Sequence, residues 1–200
     1  IAVDAMGGDN SPEKVIKGIS LHSWNSQYIT YKIFGDEKLI NPLLKKNEIK
    51  NDFIVHHTID KINNDDTALG AAKRGKNTSM WMAVNSVKEK NSDIVISAGN
   101  TGALFVIAKL NLKMIHNIDK PALSALWPNK NGLNVVLDLG ANIECGEKNL
   151  VDFSIMGAAL HKSLFPKEIC KVALLNIGSE EIKGNNIIKN TYKELSSKTN

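Results

Sequence analysis

Cysteine is almost missing from this chain: Cys145 and Cys170 stand alone, with no CxxC and no metal-ligand spacing. That pattern excludes a disulfide framework and fits a reducing cytoplasm. No apolar run approaches the length of a membrane span, and no signal peptide is visible, because Ile1 opens a short strand-like run that reaches Asp4 at once. Charge of one sign is scarce as well. The formal net charge is +4 and the lysines are scattered, so there is no footprint for nucleic acid. No G-x-G-x-x-G follows the first apolar run, which argues against a dinucleotide-dependent dehydrogenase. There is no Gly-Lys-Thr of a P-loop and no G-x-S-x-G elbow around Ser97 or Ser179.

What remains is an ordinary globular composition, 42% hydrophobic and 23% charged over 200 residues, enough for one domain with a sizeable core. Short apolar runs recur and most end in glycine with Asp or Asn close by. "IAVDAMGGDN" leads into Asp4, Gly7, Gly8 and Asp9; "YKIFGD" into Gly35 and Asp36; "DIVISAGNTG" into Ser97, Gly99, Asn100, Thr101 and Gly102. "LNVVLDLGAN" leads into Asp138, Gly140 and Asn142, and "KVALLNIGSEEIKG" into Asn176, Gly178, Lys183 and Gly184. "DFIVHHT" reads as a strand without a glycine, and "SALWP" as a further one.

Helix-like stretches lie between them, at 12–24, 36–46, 79–90, 103–116, 151–165 and 185–197. Pro12 and Asp36 are ordinary helix-start residues. Continuous apolar strands alternating with helices predict an α/β fold, a mostly parallel sheet with helices on both faces. The polar stretch Asp60 to Ser79 reads as the mobile segment. The chain stops just after a helix with no closing element, so the expectation is a single α/β domain over 1–200 that is incomplete at its C-terminal end.

In such a sheet, ligands bind beyond the carboxyl ends of the strands, where these glycine loops fall. Tight turns need glycine and Asx residues anyway, but four polar glycine loops at one edge, those of Gly7, Gly99, Gly140 and Gly178, point to a shared anion site. Protein nucleophiles are few. Cys145 has no histidine base nearby, and a small buried cysteine is the commoner case. His56 and His57 close a strand without an evident carboxylate partner. Asp4, Asp9 and Asp138 share a metal only if the fold gathers them; turn and cap roles are the plainer reading. Backbone amides, asparagines and Lys183 suit stabilisation of negative charge and positioning of reactants, hence group transfer with an anionic substrate. A surface lysine is the equal alternative for Lys183.

"VDAMGGDNSP", "SAGNTGAL", "LDLGANIEC" and "LLNIGSEEIKGN" together resemble, in order, the signatures of the bacterial phosphate acyltransferase family of phospholipid synthesis. The likeness runs from Ile1 to Asn185 and includes "KNTSM" and "DKPALSALWP". It implies a three-layer α/β/α, Rossmann-like fold similar to isocitrate and isopropylmalate dehydrogenases and phosphotransacetylases. It implies transfer of a long-chain acyl group from acyl carrier protein to orthophosphate, without a cofactor, the acyl phosphate feeding a membrane glycerol-3-phosphate acyltransferase. A cytoplasmic homodimer in peripheral contact with the membrane is also implied, with the membrane-contacting element expected beyond residue 200. By this resemblance Lys183 binds phosphate, while Asn100, Asn142 and Asn176 orient phosphate or the thioester carbonyl. Asp4 or Asp9 fixes neighbouring loops, and Gly99 to Gly102 supply amide donors. The substrate-binding set is thus Asp4, Gly7, Gly8, Asp9, Ser97, Gly99, Thr101, Gly102, Asp138, Gly140, Asn142, Gly178 and Gly184, with Lys183, Asn100 and Asn176 as catalytic candidates. Asn10 and Ser11 stand where the family often has His and Ala, and Ser179 where Glu is common. A phosphotransacetylase-like enzyme acting on short acyl-CoA, and a non-catalytic homologue, are the alternatives.

Overall fold

In the computed structural model, residues 1–198 are described, apart from Gln27 and Glu181. The chain divides into two compact units, Ile1–Lys113 and Met114–Asn200.

The first unit is built on strands β1 (Ala2–Asp4), β2 (Tyr31–Gly35), β3 (Phe53–His57) and β4 (Val95–Ser97). All pair in parallel, in the order β3-β2-β1-β4. The chain therefore steps outward from β1 to β3 and then returns to the other side of β1. That reversal makes the carboxyl ends of β1 and β4 the topological switch point, where a crevice opens because successive connections leave in opposite directions.

Helices α1 (Glu13–Ser23), α2 (Glu37–Asn47), α3 (Ala68–Lys73), α4 (Ser79–Lys88) and α5 (Thr101–Leu112) complete the unit. Strand alternation sends Val3, Ala5 and Ile33 to one face, where they pack with Ile16 and Ile19 of α1 and Ile40 and Leu44 of α2. Ala2 and Phe34 face the other way, onto Ala83 of α4. Met80 and Val84 of α4 continue into a cluster with Ala103 and Ile107 of α5 and Ala71 of α3. Each such fully buried Ile or Met stabilises the unit by about 1.5–3 kcal/mol, which fixes α4 and α5 against the sheet. Four helix starts are capped by their own side chains: Asp36, Thr67, Thr78 and Asn100.

The mostly parallel sheet and the helix positions agree with the expectation from sequence. The stretch Asp60–Ser79 differs from it. It carries α3, and the Arg74 guanidinium binds Asp66 Oδ1 at 2.5 Å and the Lys61 carbonyl at 3.0 Å. A six-residue helix is too short to display a hydrophobic period, so its polar sequence reads as loop.

The second unit holds β5 (Ala125–Asn129), β6 (Gly132–Val136), α6 (Glu147–Leu164) and α7 (Asn186–Lys198). Here the expectation for "LNVVLDLG" is corrected. β5 and β6 form a two-stranded antiparallel sheet, with Ala125 opposite Val136 and Asn129 opposite Gly132. Only Lys130 and Asn131 separate the strands, and so short a link permits a hairpin and forbids a parallel crossover. The run "KVALLN" is corrected as well: no strand forms there, and Leu175 and Ile177 are exposed. A strand needs a ladder partner for its backbone groups, and among the described residues none lies beside this run. α6 packs against β6 and α7, and Asn190 of α7 donates to Glu147 at 2.7 Å.

Candidate functional site

At the switch point of the first unit, the loop after β1 and the loop after β4 touch backbone to backbone. A Cβ on Gly7 would fall 2.5 Å from Asp4 Oδ2 and 2.9 Å from the Gly99 nitrogen and Cα. Gly8, at φ +85°, faces the Ala98 carbonyl, which would lie 2.3 Å from an added Cβ. These glycines exist because two loops occupy the space a side chain would fill.

Asp4 organises the contact. It is fully buried and accepts hydrogen bonds from Met6 N–H at 3.2 Å and from the Ser97 hydroxyl at 2.7 Å. Ser97 Oγ in turn accepts from Gly99 N–H at 3.1 Å. Both Asp4 oxygens are thus engaged inside the protein.

Asn100 caps α5. Its Oδ1 accepts from Ala103 N–H at 2.9 Å, and its Nδ2 donates to the carbonyls of Asn64 and Asp66, each at 2.9 Å. Asn64 Nδ2 reaches Asp9 Oδ1 at 2.7 Å. The segment around residues 63–66 therefore straps the β1 and β4 loops together, and Asn64 and Asp66 are members of the site that the sequence reading passed over. The signal was the run "NNDD", but their partners in the β1 and β4 loops, Asp9 and Asn100, lie 34 to 55 residues away and no local pattern announces those contacts.

The donors left over are specific. With Gly99 N–H bound to Ser97 and Ala103 N–H bound to Asn100, the N–H groups of the exposed residues Thr101 and Gly102 have no hydrogen-bond partner among the described residues. They belong to the first turn of a twelve-residue helix, whose dipole adds positive potential at the same place. This end of the site can hold an oxyanion.

The second unit carries the other candidates. Asp138 accepts from Leu123 N–H at 3.0 Å, Ala141 N–H at 3.3 Å and Asn142 N–H at 2.9 Å, and from Asn142 Nδ2 at 2.8 Å. Partial burial pushes its carboxyl up, but the Asn142 carboxamide and the three amides outweigh it and hold the group below its ordinary value. Asn142 also donates to the Pro121 carbonyl at 2.8 Å, and Gly140 turns the loop at φ +79°.

Gly178, Asn176, Lys183 and Gly184 form one folded loop before α7. The Asn176 carboxamide would lie 2.6 Å from a Cβ on Gly184, which sits at φ +82°. The Lys183 stem would lie 3.0 Å from one on Gly178. Asn176 Oδ1 accepts from Ile177 N–H at 2.9 Å. Asn185 Oδ1 accepts from Ile188 N–H at 2.9 Å, capping α7, so Lys183 lies in the chain just ahead of a helix start. Among the described residues Lys183 has no ion-pair partner.

The comparisons with known proteins decide the family. The family model described as fatty acid synthesis protein matches residues 1–200, the whole chain. This chain belongs to the fatty acid synthesis protein family. A phosphate acyltransferase of Pelagibacter ubique (strain HTCC1062) is 64% identical over 200 residues, covering all of this chain and 60% of that protein. Phosphate acyltransferases of Maricaulis maris (strain MCS10) and Paramagnetospirillum magneticum (strain ATCC 700264 / AMB-1) are 42% and 37% identical, each over 94% of this chain. Of those two relatives the chain covers 55% and 54%. The chain thus spans little more than half the length of these curated relatives, and the resemblance drawn from four loop motifs is borne out. Among the described residues no helix is long and apolar enough to cross a membrane.

Proposed function

We propose that this protein is a phosphate acyltransferase that moves a long-chain acyl group from acyl carrier protein to orthophosphate. The observation that carries this reading is the pair of unengaged amides, Thr101 and Gly102, at the start of α5 on the switch-point crevice. Relatives named phosphate acyltransferase support the reaction class.

In the proposed reaction a phosphate oxygen attacks the thioester carbonyl carbon. The carbonyl oxygen takes the negative charge of the tetrahedral intermediate, and the carbon–sulfur bond then breaks. The acyl–oxygen bond stays in the acyl phosphate, and the proton lost by phosphate ends on the carrier thiol. Phosphate is itself the nucleophile, so no activated serine or cysteine is required. The chain's contribution is electrostatic and positional. Thr101 and Gly102 N–H donate to an oxyanion. Lys183 neutralises phosphate. Asn142 and Asn176 hold the loops of the second unit, and Asn100, Asp4 and Ser97 are positioning residues for the α5 start. Asp9, through Asn64, secures the strap. Gly7, Gly8, Gly99, Gly178 and Gly184 allow the close loop approaches, and Gly140 takes the positive φ of its turn.

The wider reading follows the family resemblance: a homodimer in peripheral contact with the membrane, whose acyl phosphate is consumed by a membrane glycerol-3-phosphate acyltransferase. The test is purified protein with palmitoyl–acyl carrier protein and phosphate, followed by acyl phosphate formation and release of carrier thiol in equal amounts. Turnover of acetyl-CoA and not of the acylated carrier would transfer the assignment to a phosphotransacetylase-like enzyme. No turnover of either would leave a non-catalytic homologue.

A further inference from the structure

Away from the switch point, residues of β2 and β3 line the sheet face on which α4 packs. A cavity of about 280 Å³ lies there, beside α4. Its walls combine two kinds of chemistry. Lys32 of β2 and Lys76, just ahead of α4, bring two ammonium groups, and among the described residues neither has an ion-pair partner. Phe34, His56 and Trp81 bring flat apolar surface. The His56 imidazole lies stacked on the Phe34 ring, with centroids 4.7 Å apart and planes 11° from parallel.

The register explains the grouping. Lys32 pairs with Ile54 and Phe34 with His56, so strand alternation sends all four side chains to the same face. Trp81 and Asn85, four apart on α4, border that face.

His56 Nε2 is buried with no hydrogen-bond partner. A buried polar nitrogen left unpaired is costly, and unpaired native groups commonly mark a ligand or water. Burial holds the imidazole below its ordinary value, and the Lys32 charge lowers it further. The imidazole is therefore neutral near pH 7, and the two lysines supply the positive charge.

We propose that this cavity is a binding site for a small organic anion, its charged head between Lys32 and Lys76 and its apolar or ring-shaped body against Trp81 and the Phe34–His56 stack. The site is separate from the β1 and β4 loops, and the proposal stands whether or not the phosphate acyltransferase reading does. Unpaired cations select the anion. The ring surfaces select an organic body over a bare inorganic ion, because stacking and apolar contact reward area.

Phenyl phosphate is the probe, with inorganic phosphate as the comparator. Side-chain NMR of the imidazoles and calorimetry on the full chain read the binding. Phenyl phosphate is expected to shift the His56 imidazole resonances saturably, and to bind several-fold more tightly there than inorganic phosphate. The double variant Lys32→Ala/Lys76→Ala should weaken it at least about tenfold, the loss of a single charged hydrogen bond being enough for that. Trp81→Leu should reduce the difference between the two ligands while keeping the lysine contacts. An unchanged amide spectrum checks that each variant is folded; for a variant that fails it, Lys32→Gln and Lys76→Gln singly replace it. No saturable His56 shift, or a charge-removed folded variant that binds like the parent, overturns the proposal. Equal His56 responses to the two ligands overturn its organic class.

Discussion

Ser97 at the end of β4 donates its hydroxyl proton to buried Asp4 at the end of β1, 2.7 Å away, and so joins the two loops on either side of the switch point. The same hydroxyl oxygen accepts from Gly99 N–H, turning the start of the α5 connection. Asp4→Ala removes the acceptor for both Ser97 and Met6 N–H. It should cost about 1–3 kcal/mol of stability, the penalty for stranding buried donors. Ser97→Ala should cost less, because it leaves Asp4 the Met6 contact. Urea denaturation of the two variants checks the order; equal and negligible losses would remove this link from the account.

Glycines in these loops differ in why they are glycine. Gly8→Ala meets the Ala98 carbonyl and must also hold φ +85°, so a destabilisation of about 2 kcal/mol or more is expected. Gly102→Ala meets only Asn100 Oδ1 at 3.4 Å and Ala68 Cβ at 3.5 Å, ordinary contacts, inside a helix that favours alanine. Its stability should stay within about 1 kcal/mol of the parent. Melting temperatures of the pair separate close packing from turn habit.

Asn100 has two jobs that one substitution can split. Asn100→Asp keeps an acceptor for Ala103 N–H and the α5 cap, but loses the donor to the carbonyls of Asn64 and Asp66. Amide exchange should rise around residues 63–67 while the first turn of α5 stays protected. Protection unchanged in the strap would mean that Arg74 and Asp66 suffice to hold it.

Asp138 makes a pH prediction. Its folded carboxyl lies below the ordinary 3.8, so it binds its proton less readily folded than unfolded. The stability it contributes is therefore fully present above 3.8 and is lost as pH falls below that value through the folded one. Asp138→Asn should flatten the acid limb of a stability–pH curve by this share and leave the neutral limb parallel to the parent's. An acid limb unchanged in slope would contradict the four-donor cradle.

Much of this was legible in residues alone. The apolar runs ending in Asp4 and Gly35 are short buried strands, the run ending in Ser97 is a half-buried edge strand, and their glycine loops must pack closely; these facts are written locally. Asn100 as a helix cap is legible too, from its place before an apolar run. The Asn64 strap was not, because its meaning lies in Asp9, 55 residues away. Nor was the behaviour of "KVALLN", whose composition is strand-like but whose backbone finds no ladder in the described residues. Period and propensity report what a segment can be; pairing partners decide what it becomes.

Phosphate labelled with oxygen-18 and given with palmitoyl–acyl carrier protein tests the central claim most directly. If phosphate is the nucleophile, the acyl phosphate formed carries every labelled oxygen, including the one bridging carbon and phosphorus, and free carrier thiol appears in step. Lys183→Ala should slow this labelling by about a hundredfold, mainly through weaker use of phosphate. Release of palmitate bearing a water oxygen, with phosphate unconsumed, would contradict the account.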